Sequence, residues 1–301
     1  MLFRSLRVLG ELNGVNPYQF RNRFAVMGGF MGRQIKGVKN EEELGRLIDG
    51  CAFRALTADW RKDLPPRVPV THHYEMTDNQ RKHYNTMMED FYAMVGDDEP
   101  VTADMVLTQR IKLQQISSCL LMDDDKVHWL EPPKKNPKLR AICDLFDYTE
   151  CKAIVPYFYK PSGAMLYEAF KEMKLNPAVI TGGMKSSEIV EQKNRFNKDP
   201  DCRVLVGQID QTSRGHTLLG QSGRDRCNQT YYYENSLSLM HRLQMDFRNS
   251  RGEQDQTTFL HDFVGSPVEQ LNIDILTGKK ALGDGIDAIV AEVRRRQGRG
   301  S

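Results

Sequence analysis

Long apolar runs are missing from this chain of 301 residues. Nothing approaches the roughly 18 residues that a membrane-spanning helix needs, and the best stretch, Ala153 to Tyr159, is interrupted by Pro156. The first residues, Met1-Leu-Phe-Arg-Ser-Leu-Arg7, hold no sustained apolar core before their charges. That pattern is not a secretory signal, and the expectation is a cytoplasmic protein. A charge imbalance is missing as well. With 42 basic and 40 acidic residues the net charge is +2, which neither demands nor excludes a nucleic-acid partner. The six cysteines, Cys51, Cys119, Cys143, Cys151, Cys202 and Cys227, form no C-x-x-C pair. A zinc knuckle or redox dithiol is therefore disfavoured, and reduced thiols are expected. No internal repeat is visible. What is present, 40% hydrophobic and 27% charged residues, is the balance of a globular chain with length for about two domains.

Residues up to about Arg61 read as mainly helical. Leu2, Leu6 and Leu9 share helical spacing, and Glu41-Glu42-Glu43 opens an amphipathic segment with Leu44, Leu47, Ile48 and Cys51 on one side. Leu64-Pro65-Pro66-Arg67 punctuates the chain, because two prolines cannot continue a helix. Val68 to Met76 reads as extended. Helices follow over Gln80–Tyr92 and Met105–Leu121, then a polar connector through Asp123-Asp124-Asp125 and Pro132 to Pro137. From there short apolar runs alternate with helical patterns: strands at Lys152–Tyr159, Ala178–Ile180, Val204–Val206, Gln229–Tyr233 and Thr257–Leu260, with helices between them. That alternation predicts an α/β fold with a parallel sheet covered by helices on both faces. From Gly278 onward a helix-like stretch ends in Arg294-Arg295-Arg296.

Two segments could carry chemistry. In Gln244-Met-Asp-Phe-Arg248-Asn-Ser-Arg251-Gly-Glu-Gln254 the spacings of four and three would stack Gln244, Arg248 and Arg251 on one helix face. Two guanidinium groups so close repel unless an anion neutralises them, and phosphate oxygens match the guanidinium fork. The plainer alternative is a solvated arginine face paired with Asp246 or Glu253. In Val204-Leu-Val-Gly-Gln-Ile-Asp-Gln-Thr212-Ser213-Arg-Gly215-His216 a buried strand runs into a polar loop. Ligands of open parallel sheets bind beyond the carboxyl ends of strands. Thr212 and Ser213 can donate to a phosphate, and Gly215 permits close backbone approach; an ordinary strand-to-helix loop is the alternative. His72 and His73 are adjacent on an expected strand, so they face opposite sides and cannot share a metal. Tyr231-Tyr232-Tyr233 reads as a strand packing its rings.

Taken in order, these segments resemble the second RecA-like lobe of the Swi/Snf-type DNA translocases in helicase superfamily two. The resemblance runs through Leu64-Pro-Pro-Arg67, Met76-Thr77-x-x-Gln80-x-x-x-Tyr84, Ile111 to Cys119, Lys138-Leu139, Ala153 to Tyr159 (motif IV), Gly182-Gly183 with Phe196, Thr212 to Leu218 (motif V), Gln244 to Gln254 (motif VI) and Gly265-Ser-Pro-Val-Glu269. It covers the chain to about Leu276. It implies three segments: 1–66 as a helical remnant of lobe one, 67–276 as the helicase C-terminal lobe with its core at about 136–264, and 277–301 as a partly flexible tail.

By that resemblance Arg248 and Arg251 would be arginine fingers reaching the γ-phosphate of ATP, with Mg²⁺, on a P-loop lobe. Gln244 would orient them and Gly215 would sit near the nucleotide. Thr212 and Ser213 would touch the DNA backbone, with Tyr159, Lys160, Ser162, Gly182 and Gly183 on the same DNA-tracking face. Backbone contact without base readout suits a motor on duplex DNA. The sequence departs from the family at three points: Thr212-Ser213 replaces a glycine pair, Gly252 directly follows Arg251, and Ser250 replaces a histidine. No G-x-x-x-x-G-K-[ST] occurs, so the expectation is a fragment or split subunit that hydrolyses ATP only with lobe one supplied in cis or in trans. A non-catalytic nucleic-acid or protein-binding module and an unrelated doubly wound enzyme are the competing readings.

Overall fold

The computed structural model describes residues 6–7, 10–12, 14–28, 34–51, 64–95, 103–123 and 126–278. The tail beyond Gly278 lies outside them. The chain divides into two compact units, Met1–Asp63 and Leu64–Ser301.

In the first unit α1 (Pro17–Phe24) opens with a capping box, in which Asn16 and Gln19 each accept from the other's backbone N–H. It leads into β1 (Ala25–Gly28), which pairs antiparallel with β2 (Gln34–Val38) before α2 (Glu41–Asp49). The hairpin is absent from the helical reading of this region. Its strands are short and leave Val26, Ile35 and Val38 exposed, so no period-two apolar pattern marks them.

The second unit holds β3 (Arg67–His73), α3 (Asp78–Val95), α4 (Ala103–Ser117), the hairpin β4 (Leu120–Asp123) and β5 (Lys126–Trp129), α5 (Pro137–Tyr148), β6 (Lys152–Tyr157), α6 (Lys160–Glu172), β7 (Ala178–Ile180), α7 (Ser186–Lys198), β8 (Val204–Gln208), the single turn α8 (Ile209–Thr212), β9 (Cys227–Tyr232), α9 (Leu239–Asp246), β10 (Thr258–Val264) and α10 (Pro267–Leu276). Six strands form one sheet in the order β3-β10-β9-β6-β8-β7, every pair parallel. The edge strand β3 comes from well before residue 136. The β4–β5 hairpin stands where the sequence reads as a polar connector.

Strand alternation sorts the core. Ala153, Val155, Tyr157, Val204, Val206, Tyr231 and Tyr233 pack with Leu139, Ile142 and Phe146 of α5 and Leu166 and Phe170 of α6. Their neighbours Ile154, Leu205 and Tyr232 face the opposite side, with Phe196 of α7 and Met245 of α9. Both faces of the sheet are thus covered, as in RecA-like ATPase domains. A third cluster joins α3, α4 and α10 through Tyr84, Phe91, Leu113, Val268 and Leu271. All three tyrosines at 231–233 are buried, in the packing role expected of them.

Candidate functional site

Parallel pairing places the carboxyl ends of six strands, and the loops after them, along one edge of the sheet. Gln208, the last residue of β8, ties three of these loops together. Its Oε1 accepts from the Gly182 N–H at 2.7 Å and from Thr181 Oγ1 at 3.3 Å, and its Nε2 donates to the Phe158 carbonyl at 3.5 Å.

Glu234, just after β9, secures the start of α6. That helix begins Lys160-Pro161, and its N-cap Tyr159 has no side-chain acceptor to offer. The buried Glu234 carboxylate supplies one, accepting from the N–H groups of Phe158 and Tyr159 at 2.8 Å each and from Ser162 Oγ at 2.6 Å. Burial pushes its pKa up, against the pull of these three bonds.

The expected DNA-facing residues divide on this edge. Lys160 and Gly183 are exposed and Gly182 half-exposed, with Gly183 at φ 94° in the left-handed region. Lys160 runs alongside Gly182, where a Cβ would lie 3.9 Å from Lys160 Cε. Tyr159 and Ser162 are buried, Tyr159 donating weakly to the Ile111 carbonyl at 3.4 Å and Ser162 committed to Glu234. Thr212 and Ser213 are wholly buried, and neither hydroxyl has a hydrogen-bond partner among the described residues. Thr212 packs under Gly207, where a Cβ would meet its Oγ1 at 2.5 Å. The side chains of these four residues therefore stand behind the surface.

The arginines are arranged differently from the helical stack read in the sequence. Helix α9 ends at Asp246 with Phe247 as its C-cap, and Arg248 and Arg251 lie in the turn beyond. Each guanidinium folds back on the carbonyl four residues earlier: Arg248 Nε donates to Gln244 O at 2.7 Å and Arg251 Nε to Phe247 O at 3.0 Å. Carbonyls that a helix end leaves orphaned are satisfied in this way. Gln244 holds Arg248 through its backbone and not its amide. Asn249 and Gln254 pin the turn, Asn249 donating to Thr230 Oγ1 at 3.2 Å and Gln254 to the Cys227 and Asn249 carbonyls at 2.9 and 2.6 Å.

The same turn reaches the loop after β8. Arg248 Nη1 donates to His216 O at 2.9 Å, one residue past the exposed Gly215, which sits at φ 69°. Arg248 is buried, and burial followed by the neighbouring Arg251 charge lowers its pKa to about 10. Among the described residues neither arginine pairs with a carboxylate. Asp246, the candidate partner in the sequence, is engaged by Tyr232 Oη at 2.6 Å and Arg242 Nε at 3.0 Å. Guanidinium groups without a counter-charge can take up an anion through their remaining N–H donors. No group of three His, Cys, Asp or Glu residues suited to a metal ion occurs among the described residues.

Sequence reasoning missed Glu234 and Gln208. A glutamate directly after a tyrosine run and a glutamine ending a buried strand are polar residues in apolar company, and that misfit is the available signal. It also missed His241 Nδ1, which lies 3.1 Å from Asp210 Oδ1 and 3.2 Å from Ser236 Oγ and joins α9 to α8. His72 and His73 alternate as expected. His72 turns inward and stacks on His261 with ring centroids 5.1 Å apart, while His73 is exposed.

No protein-family model matches the chain. Among curated proteins it is similar to the human DNA annealing helicase and endonuclease ZRANB3, at 23% identity over 190 residues, covering 62% of this chain and 16% of that protein. The mouse protein of the same name matches at 23% over 190 residues. The chain thus spans about a sixth of the length of these relatives. Among solved structures it resembles the Sulfolobus solfataricus SWI2/SNF2 ATPase core in complex with dsDNA, with a TM-score of 0.59 and 17% identity over 95% of this chain and 60% of that one. It also resembles the C-terminal part of the Fun30 ATPase domain, with a TM-score of 0.58 and 13% identity over 77% of this chain and 99% of that one. Among the described residues no helix is long and apolar enough to cross a membrane. The chain matches the SWI2/SNF2-type ATPase core, chiefly its C-terminal, RecA-like lobe.

Proposed function

We propose that this chain is the second lobe of an ATP-dependent DNA translocase, which completes a nucleotide site whose P-loop wall is supplied by another lobe, in cis or in trans. Arg248 and Arg251 would face the γ-phosphate of ATP and offset the charge that spreads over the transferring phosphoryl group. The observation that carries this reading is the pair of neighbouring guanidiniums with no carboxylate partner among the described residues, one of them buried with its pKa lowered to about 10. A buried cation left uncompensated is costly, and a bound phosphate would remove that cost. Two of the five N–H donors of Arg248, on Nε and Nη1, are held by carbonyls, which fixes the fork before any ligand arrives.

Lys160, Gly182 and Gly183 would lie against the phosphodiester backbone, Lys160 by charge and the glycines by close approach. Tyr159, Ser162, Thr212 and Ser213 would support that edge from behind. The likeness to a core bound to duplex DNA supports duplex DNA as the track.

The test is ATP turnover with and without duplex DNA, using the chain alone and the chain combined with a P-loop lobe of the SWI2/SNF2 type. Alone, no turnover is expected. In combination, DNA-stimulated turnover is expected, reduced by roughly 10³-fold or more in Arg248→Ala and in Arg251→Ala. Full turnover in both variants would overturn the arginine assignment. Salt-sensitive DNA binding with no turnover in any combination would instead favour a non-catalytic clamp.

A further inference from the structure

The loop after β8 is anchored from two sides. From one, Arg248 Nη1 donates to the His216 carbonyl at 2.9 Å. From the other, Asn197 of α7 donates to the Thr217 carbonyl at 2.9 Å and accepts from the N–H groups of Leu219 and Gly220 at 3.1 Å each. His216 therefore stands where α7 meets the arginine turn. One helical turn before Asn197, on the same face of α7, is Lys193. The charged groups that bear on the His216 ring are Lys193 and Arg248, and Arg251 in turn bears on Arg248. Among the described residues none of these three cations pairs with a carboxylate. Like charges gathered without a counter-charge repel one another, and an anion placed among them relieves the repulsion.

The His216 ring is half-exposed, and the Gln211 carbonyl accepts a hydrogen bond from it. In the neutral imidazole the nitrogen facing that carbonyl carries the hydrogen, and the other nitrogen holds a lone pair. A lone pair repels a phosphate oxygen. Protonation turns it into a donor and adds a positive charge. Burial first, then Lys193 and Arg248, lower the pKa of His216, with the Gln211 bond opposing, so at neutral pH the ring is uncharged. An anion beside Lys193 and Arg248 offsets both of the charges that drive the proton away.

We propose that Lys193 and His216 join Arg248 and Arg251 in one phosphate-binding cluster, and that His216 takes up a proton from solvent as the nucleotide phosphate binds. This rests on the phosphate role read for the two arginines and adds a regulation to it. Binding that brings a proton with it is tighter below the titration range of His216 than above it.

The test is the titration of the His216 imidazole by NMR in the full chain, its signal assigned by its loss in His216→Gln. The probe is sodium sulfate, an oxyanion whose own charge is constant across this range, compared with sodium chloride at equal ionic strength. In chloride the midpoint is expected below the ordinary histidine value. Sulfate is expected to raise it by about one pH unit or more, and by the same linkage to bind about tenfold tighter below the range than above it. In His216→Gln that difference in sulfate affinity should vanish. Lys193→Met, a change at a half-exposed position, should raise the midpoint in chloride and shrink the response to sulfate. A midpoint that sulfate leaves in place, or that Lys193→Met leaves in place, overturns the cluster. A response to a short DNA duplex but not to sulfate overturns it too and assigns His216 to the DNA track. Turnover with a P-loop lobe separates this outcome from the reading beneath it. Activity lost in Arg248→Ala with no sulfate response removes the cluster and keeps the arginine fingers. Full activity in Arg248→Ala with a sulfate response does the reverse.

Discussion

Arg248 donates through Nη1 to the carbonyl of His216 at 2.9 Å, and Leu218 N donates back to the Arg248 carbonyl at 3.0 Å. The turn after α9 and the loop after β8 are therefore one joined unit. A ligand that draws on the Arg248 charge bears on the segment carrying Gly215, and a shift of that segment moves the guanidinium.

The two arginines should separate in a stability assay although both face the proposed phosphate. Arg248→Ala removes two bonds to carbonyls and should cost about 1–3 kcal/mol in urea unfolding. Arg251 is half-exposed with one such bond, so Arg251→Ala should stay within about 0.5 kcal/mol. Equal losses would mean that Arg248 does not join the two loops.

Glu234→Ala should destabilise the second unit by about 2–4 kcal/mol, because it leaves the half-buried Phe158 N–H, the buried Tyr159 N–H and the Ser162 hydroxyl unpaired. Amide exchange at Phe158 and Tyr159 should accelerate selectively. Glu234→Gln retains a carbonyl acceptor and should recover part of the loss.

Lys138 and Glu269 form a buried ion pair, with Lys138 also donating to the Tyr233 carbonyl at 3.1 Å and Glu269 accepting from Tyr74 Oη at 2.9 Å. Removing one charge strands the other, so Lys138→Met should cost about 3–5 kcal/mol. The double variant Lys138→Met, Glu269→Gln should cost less than the sum of the singles. Strict additivity in a double-mutant cycle would contradict the pairing.

Acid should weaken the fold through a buried histidine. His261 lies between His72 and Gln229, 2.8 Å from His72 Nε2 and 2.7 Å from Gln229 Oε1. Burial first, then the His72 charge, lowers its pKa to about 4, with Asp262 opposing. The folded state keeps the ring neutral while the unfolded chain takes up a proton near the usual 6.5, so the contribution is complete above that pH and is lost as pH falls toward 4. The loss should be on the order of 3 kcal/mol. His72 is lowered too, by burial and by His73, and adds in the same direction. His261→Gln should flatten this part of the stability–pH curve.

The parallel sheet was legible because strands buried on both faces, such as Val204–Val206, write continuous apolar runs. The β1–β2 and β4–β5 hairpins were not, because strands of four or five residues held mainly by backbone pairing leave little side-chain periodicity. The site was legible as residue types in order and illegible as geometry. Spacings of four and three predict a helix through Arg251, yet α9 stops at Asp246. The chain there is taken over by tertiary bonds, from Asn249 to Thr230 and from Gln254 to Cys227. Likewise the loop after β8 reads as polar, although Thr212 and Ser213 are sealed beneath Gly207 and the sheet edge.

By itself the sequence determined the alternation of strands and helices and the parallel sheet this requires, since both rest on local pattern and short-range spacing. Only the tertiary structure decided which polar residues reach the surface and which brace it from within. Burial and hydrogen-bond partners depend on segments far apart in the chain: Glu234 meets Ser162, and Arg248 meets His216, only after the sheet has set their loops side by side.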